Sequence, residues 1–186
     1  MAPVAASTIT DASAGTVVDV GGGTARSRAL WPHSWRYVSV DPDARVQNLA
    51  GSSGAIVRLT GDATALPVPD AVADVVLMQC VSHHLDDRTW IASLDEVERI
   101  LKPDGRFIFV DGVWRERRWI SRAFWRLDAG HHPRAYEELE AAIGSRFQIL
   151  EIDRFNLVHH SILLTCRLRS YFEASPDGPD QADSRN

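Results

Sequence analysis

The sequence predicts an α/β protein whose core is a mostly parallel β-sheet. Short apolar runs alternate along the chain with amphipathic segments, the pattern of strands joined by crossover helices. The first five apolar runs are rich in valine or isoleucine, as strands buried on both faces require. A short connection, Asn156 to His159, separates the last two runs, which predicts an antiparallel hairpin at the C-terminal end of the domain.

Each element follows from its own residues. We assign strands to Thr16–Val20, Tyr37–Val40, Ile56–Leu59, Ala73–Met78, Arg106–Val110, Gln148–Asp153 and His160–Arg167. We assign helices to Thr24–Leu30, Asp43–Leu49, Arg88–Leu101 and Pro133–Ile143. In the third helix the apolar residues recur at helical spacing, and Asp86 or Asp87 can cap its start; these residues are Ile91, Leu94, Val97 and Leu101. The fourth helix is predicted to start with Pro133 at its first position and to end at Gly144.

Length, charge and composition exclude several classes of protein. The 186 residues indicate a single domain, and the net charge of −5 argues against nucleic acid as the main partner. No run approaches the roughly 20 apolar residues of a membrane span, and the N-terminus lacks the features of a secretory signal. Cys80 and Cys166 are too few for a disulfide framework and show no metal-binding spacing. We therefore expect a cytoplasmic protein without a metal, membrane partner or nucleic-acid partner.

The glycine-rich stretch between Val17 and Arg26 is the most informative motif. A buried strand opens there into three glycines, so its backbone can lie against a nucleotide-like ligand. The dinucleotide fingerprint would place a third small residue at position 26, which is arginine, and this disfavours a nicotinamide-dependent oxidoreductase. The small residue is Ala25 instead, which suits the first turn of a helix and is strained if its φ is positive.

This spacing resembles the first motif of class I S-adenosylmethionine-dependent methyltransferases. That resemblance implies S-adenosylmethionine as cofactor and a Rossmann-like, doubly wound, mostly parallel seven-stranded sheet closed by the C-terminal hairpin. The cofactor-binding candidates in the motif are Asp19, Gly21, Gly22 and Gly23. Alanine at position 25 is the one departure from the family pattern.

Two acidic positions extend the cofactor site. Asp41, followed by Pro42, ends the second strand, where a carboxylate faces the ribose of a ligand on the neighbouring glycine loop. The alternative, that Asp41 only caps the next helix, is weakened because Asp43 can do so. Asp62 and Ala63 follow the third strand and look like the family's acidic motif, which implies contacts with adenine.

The segment after the fourth strand is the predicted reaction side. Gln79–Asp87 is similar to a histidine-containing stretch of the type 11 methyltransferase subfamily, and Glu98–Phe107 resembles that subfamily's next motif. Together the resemblance covers Val17 to about Val113. It implies that Gln79 and Cys80 line the cofactor site. His83 and His84 are catalytic candidates, and we expect His83 to face the methyl acceptor, as general base or as pocket wall.

The substrate is expected to meet the region where the family pattern fades. Residues 114–133 combine aromatic and arginine residues, either as a substrate lid or as an amphipathic connector; binding of nucleic acid is the less favoured alternative. The candidate substrate-binding residues in and just after this region are Trp114, Arg118, Trp119, His131 and Arg134. Few residues precede the first strand, so the pocket is open, covered by this segment, or completed by a second chain in a homodimer.

These observations define the expected organisation and function. Residues 16–169 form one methyltransferase domain, with a flexible N-terminus at residues 1–15 and a disordered tail at residues 173–186. We expect a methyltransferase acting on an oxygen, nitrogen or carbon atom of a small molecule. The alternative is a protein of the same fold that binds the cofactor but acts as a lyase, a cyclase or a binding protein.

Overall fold

The structure is a computed structural model, and it describes residues 14–49, 56–113, 132–156 and 160–170. Seven strands form one sheet: β1 Thr16–Val20, β2 Arg36–Asp41, β3 Ile56–Thr60, β4 Ala73–Gln79, β5 Leu101–Gly112, β6 Phe147–Asn156 and β7 His160–Leu168. The described helices are α1 Ala44–Leu49, α2 Asp87–Ile100 and α3 Tyr136–Gly144, with 3₁₀ segments at Arg26–Leu30 and Ser82–His84. Among these, no helix is both long and apolar enough to span a membrane.

The strands are arranged in the order β3-β2-β1-β4-β5-β7-β6. Strands β1 to β5 pair in parallel, and β7 pairs antiparallel with both β5 and β6. The predicted fold class, including the C-terminal hairpin, is therefore confirmed. Strands β2 and β3 lie on one side of β1, and β4 lies on the other, so the strand order switches at β1. The carboxyl ends of β1, β2 and β4 therefore surround the crevice where ligands bind in such sheets.

Each face of the sheet carries its own apolar cluster. The larger one joins β-strand residues such as Val76 and Phe109 to α2 and α3. The other contains Val17, Tyr37 and Val75 and is covered in part by Trp31 and Trp35. Two-sided burial explains why the parallel strands read as nearly continuous apolar runs.

The first predicted helix is wrong in type. The chain forms a 3₁₀ segment at Arg26–Leu30, and Ala25 before it has φ +60°. The Arg28 side chain is buried and donates to the carbonyl oxygens of Trp31 at 2.8 Å and Pro32 at 3.2 Å. These bonds close the segment into a compact turn, and alanine therefore occupies the strained position rather than a helical one.

The fourth helix begins later than predicted. It starts at Tyr136, and the Ala135 N–H donates to the Glu138 carboxylate at 2.8 Å. Pro133 lies before the helix because its neighbours bind elsewhere: the His132 N–H and the Arg134 guanidinium both donate to carbonyl oxygens of the 82–85 turn. The predicted end at Gly144 is confirmed.

Helix α2 begins and ends one residue earlier than predicted, and it buries a partly different set of residues. Asp86 caps it by accepting the Thr89 N–H at 2.8 Å, and Leu101 is the first residue of β5 rather than the last of the helix. Ile91 is 37% exposed, and the buried face is formed by Trp90, Ser93, Leu94, Val97 and Ile100. Spacing alone did not separate Ile91 from the buried face because it lies at its border.

Leu94→Ala is expected to lower the free energy of unfolding by about 2–5 kcal/mol, since it creates a cavity at a fully buried site. Ile91→Ala on the same helix is the matched control and should cost less than about 1 kcal/mol. Urea unfolding of both variants measures the difference. Similar losses in the two variants would contradict this orientation of α2.

Candidate active site

The glycine loop is held against the end of β2. The N–H groups of Gly21 and Gly22 donate to the Val40 carbonyl at 2.8 and 3.2 Å. Gly21 has φ +70° and Gly23 has φ +50°, conformations that side-chain-bearing residues rarely adopt. At Gly21 a β-carbon would also overlap Cγ2 of Val81, so the loop after β4 packs directly on the glycine loop.

Asp41 joins the glycine loop to the end of β2. Its Oδ2 accepts the Gly23 N–H and its Oδ1 accepts the Asp43 N–H, both at 2.9 Å. Asp43 takes the separate capping role, because its Oδ1 accepts the Arg45 N–H at 2.9 Å. The exposed Pro42 lies between these two carboxylates. The carboxylate of Asp41 thus lies where the strand ends, beside the glycine loop, and remains partly exposed.

Asp19 lies beneath the glycine loop, 2% exposed. Its Oδ2 accepts the Tyr37 hydroxyl hydrogen, and a β-carbon at Gly22 would come within 2.7 Å of the same oxygen. Burial raises the pKa of Asp19 to about 7, with the Tyr37 hydrogen bond opposing the shift and the nearby charge of Asp41 adding to it. This predicted cofactor residue therefore supports the loop from below.

The residues after β3 form a short polar turn. Oδ1 of Asp62 accepts the N–H and the hydroxyl of Thr64 at 2.8 and 2.7 Å, and these bonds lower the pKa of Asp62. Asp62 is exposed and Ala63 beside it is half-buried. The turn holds an ionised carboxylate at the carboxyl end of β3.

The end of β4 contacts the 3₁₀ segment after the glycine loop and strand β5. Gln79 accepts the Ser27 hydroxyl at 3.2 Å, which ties it to the segment after the glycine loop. The Cys80 N–H donates to the Val110 carbonyl at 2.8 Å, and Cys80 has φ +56°. Both side chains are exposed at this edge of the sheet.

A buried carboxylate that the sequence analysis missed, Asp111, holds the turn that contains Ser82 and His83. Asp111, near the end of β5, is 1% exposed; its Oδ1 lies 2.6 Å from Nδ1 of His83 and accepts the Gly112 N–H at 2.7 Å. Its Oδ2 accepts the N–H and the hydroxyl of Ser82 at 2.9 and 2.6 Å. The signal was present, because Asp111 ends an apolar strand as Asp41 does, but the last motif used in the sequence analysis ended at Phe107.

The two histidines differ in their surroundings. His83 is 5% exposed, so it is less open than we expected, whereas His84 is exposed. Their ring centroids lie 4.1 Å apart. The His83 carbonyl accepts the His132 N–H at 3.0 Å, which fixes the backbone of this turn.

Arg134 is built into the same turn. It is 7% exposed and donates to the Ser82 carbonyl at 2.6 Å, the Leu85 carbonyl at 2.9 Å and the Asp87 carboxylate at 2.8 Å. Its guanidinium also lies over the Trp90 ring, 5.5 Å from the centroid. The other candidate substrate residues, Trp114, Arg118, Trp119 and His131, lie outside the described residues, as do residues 1–13 and 171–186 of the predicted termini.

Gly21→Ala is expected to destabilise the fold by more than the roughly 1–2 kcal/mol of left-handed backbone strain, because the new β-carbon also overlaps Val81. Gly23→Ala is the matched control, since its β-carbon would lie 3.7 Å from Val46 and carries only the backbone cost. Adding Val81→Ala should recover part of the loss in the first variant and none in the second. Urea unfolding measures all four variants, and equal losses without recovery would contradict the contact between the two loops.

Asp19→Asn should change how stability depends on pH. The carboxyl ionises near pH 4 when unfolded and near pH 7 when folded, so its stabilising contribution is complete below pH 4 and is lost as pH rises to about 7. Relative to wild type, the variant should gain up to about 1.4 kcal/mol per pH unit between pH 5 and 7, and nothing more above that range. Urea unfolding measures the free energy of unfolding of the variant and of wild type. If the difference between the two proteins stays constant from pH 5 to 8, Asp19 is not buried as a neutral carboxyl.

Comparison with known proteins agrees with this geometry. Residues 18–109 match the family model of a methyltransferase domain. The chain is 26% identical over 148 residues to an uncharacterized methyltransferase of Geobacillus kaustophilus, covering 77% of this chain and 68% of that protein. It is 36% identical over 160 residues to the dimethylglycine N-methyltransferase of Parasynechococcus marenigrum, covering 78% of this chain but only 56% of that longer protein.

The fold has close counterparts among solved structures. A SAM-dependent methyltransferase from Methanosarcina mazei superimposes with a TM-score of 0.76 at 17% identity, covering 90% of this chain and 98% of that one. With the matched domain, the sequence motifs and the sheet order in agreement, these findings support a class I S-adenosylmethionine-dependent methyltransferase family for this chain, with S-adenosylmethionine as its cofactor.

Proposed function

We propose that this protein transfers the methyl group of S-adenosylmethionine to a small-molecule acceptor. The arrangement around Asp41 carries the proposal: a partly exposed carboxylate at a strand end, bonded to the amide of Gly23 in a loop of unusual backbone conformation. A carboxylate offers about four acceptor positions, so Asp41 can hold loop amides and the two ribose hydroxyls of the cofactor together.

The neighbouring residues suit the rest of the cofactor. Asp62 presents a carboxylate at the next strand end and would accept a hydrogen bond from the adenine amino group, with Ala63 beside it. The exposed Gln79 and Cys80 would lie along the cofactor at the end of β4. When bound, the cofactor supplies an electrophilic methyl group, and the chain's task is to hold an acceptor atom in line with it.

The acceptor would meet the turn that contains His83 and His84. This turn packs on the glycine loop through Val81 and follows β4, so it adjoins the side of the crevice where the cofactor would be bound. We propose Arg134 as a positioning residue of this turn, since its guanidinium is already bonded to two of the turn's carbonyl groups.

The small-molecule class is supported by a relative whose name specifies dimethylglycine, although this chain spans only 56% of that protein. Two cysteines, Cys80 and Cys166, are too few for a disulfide framework, which suits a reducing cytoplasm, and we propose that location for the protein. We further propose that it acts without nucleic-acid or membrane partners, and that a homodimer is a possible assembly to be tested by sedimentation.

Asp41→Asn is expected to weaken binding of S-adenosylhomocysteine by about ten- to a hundredfold, since hydrogen bonds to a charged partner contribute about 1.5–3 kcal/mol. Asp43→Asn is the matched control: it is two residues away, bonds Arg45, and should bind almost as wild type does. Isothermal titration calorimetry measures both. A loss of less than threefold in Asp41→Asn would contradict the ribose assignment.

Turnover separates methyl transfer from other reactions on the same scaffold. Formation of S-adenosylhomocysteine from S-adenosylmethionine should depend on an added acceptor and should fall with Asp41→Asn. Tight cofactor binding, combined with acceptor conversion that releases no S-adenosylhomocysteine, would instead support the lyase or cyclase alternative.

A further inference from the structure

The carboxylate of Asp111 accepts three hydrogen bonds and contacts a ring nitrogen of His83. Oδ1 accepts the Gly112 N–H and Oδ2 accepts the Ser82 N–H, so each oxygen is bonded by a backbone donor. The Ser82 hydroxyl and Nδ1 of His83 complete the set. An ionised carboxylate can only accept hydrogen bonds. Because three donors already point at the two oxygens, Asp111 acts as an acceptor here, and we assign the hydrogen of the His83 contact to Nδ1.

This bond determines the tautomer of His83. With Nδ1 protonated, Nε2 is the basic nitrogen of the neutral imidazole. The backbone of the turn is also held on both sides: the Ser82 carbonyl accepts from Arg134, and the His83 carbonyl accepts from His132. A basic ring nitrogen on a fixed backbone, next to a loop that contacts Gly21, suits the role of a general base.

We propose that Asp111 is a positioning residue that makes Nε2 of His83 the general base, and that the acceptor is a hydroxyl that must lose its proton. This inference rests on the proposed methyl transfer. In the step, the hydroxyl oxygen donates an electron pair to the methyl carbon and forms an O–CH₃ bond. The carbon–sulfur bond breaks with its electron pair going to sulfur, and the hydroxyl proton moves to Nε2 and later to water.

Within residues 56–113 and 132–156, charged or titratable groups face His83 from three neighbouring elements. Asp111 from β5 contacts the ring, and His84 lies beside it. The segment before α3 contributes His132 and Arg134, and the start of α2 contributes Asp86 and Asp87. Among these described groups, Asp111 lies 2.6 Å from Nδ1 of His83, so its removal is the change expected to alter the tautomer.

The tautomer is measurable without substrate. Long-range ¹H–¹⁵N spectra of the wild-type protein at neutral pH should show His83 with a protonated Nδ1 and a pyridine-like Nε2. Asp111→Asn should lose this state, because the amide cannot accept at both oxygens' positions. Asp87→Asn is the matched control; it removes an ion pair of Arg134 in the same turn and should leave the tautomer unchanged. A wild-type His83 protonated at Nε2 overturns the proposal, even if Asp111→Asn fails to fold.

Acceptor class is tested with phenols, catechols and aliphatic alcohols as hydroxyl probes and dimethylglycine as a tertiary-amine probe. Hydroxyl methylation should rise with pH through the imidazole range, and Asp111→Asn and His83→Gln should lower it at least a hundredfold while binding S-adenosylhomocysteine as wild type does. Transfer to dimethylglycine alone, transfer to no probe, or a pH step that survives Asp111→Asn overturns the inference. Failure of wild type to bind S-adenosylhomocysteine would instead refute the proposed function and leave the tautomer result standing.

Discussion

The unpaired backbone N–H groups at the carboxyl ends of parallel strands impose the constraint on which this site depends. Where the ladder stops, those donors need acceptors, and the chain supplies a carboxylate at several of them. Asp41 accepts the amides of Gly23 and Asp43, and Asp111 accepts those of Ser82 and Gly112. The acids that shape the loops are therefore also the acids to which we assign the cofactor and the proposed general base.

The two functional loops are not independent. Gly21 packs against Val81, so the position of the cofactor loop limits the position of the turn that contains His83. On the far side, Arg134 and His132 attach the segment before α3 to the same turn. Three separate stretches of sequence thus meet at one turn, and a ligand that moves one of them must act on the others.

Burial of Asp19 shows that the site has an energetic cost. An acid beneath the glycine loop is removed from water, and its pKa rises to about 7 because burial penalises the charge. The hydroxyl of Tyr37 offsets part of that penalty. Gly22 lies close to the side chains of Asp19 and Ser39, so the glycine loop stays near the surface of the sheet. The buried carboxyl of Asp19 thus fixes the position of the loop although its burial costs free energy of folding.

The sequence by itself determined the strands, their parallel order of appearance and the positions of Gly21, Gly23 and Asp41 at strand ends. Apolar runs and glycine spacing are local properties, and a parallel sheet converts them directly into a crevice. Local sequence did not predict that the segment after the glycine loop is a 3₁₀ turn rather than an α-helix, because this conformation depends on the burial of Arg28 and its hydrogen bond to Trp31. The start of α3 was not local either, because its preceding residues bind the turn after β4. Only the tertiary structure brought Asp111 to His83 and placed Arg134 inside the turn, since hydrogen-bond partners 28 and 52 residues apart leave no periodic signal in the chain.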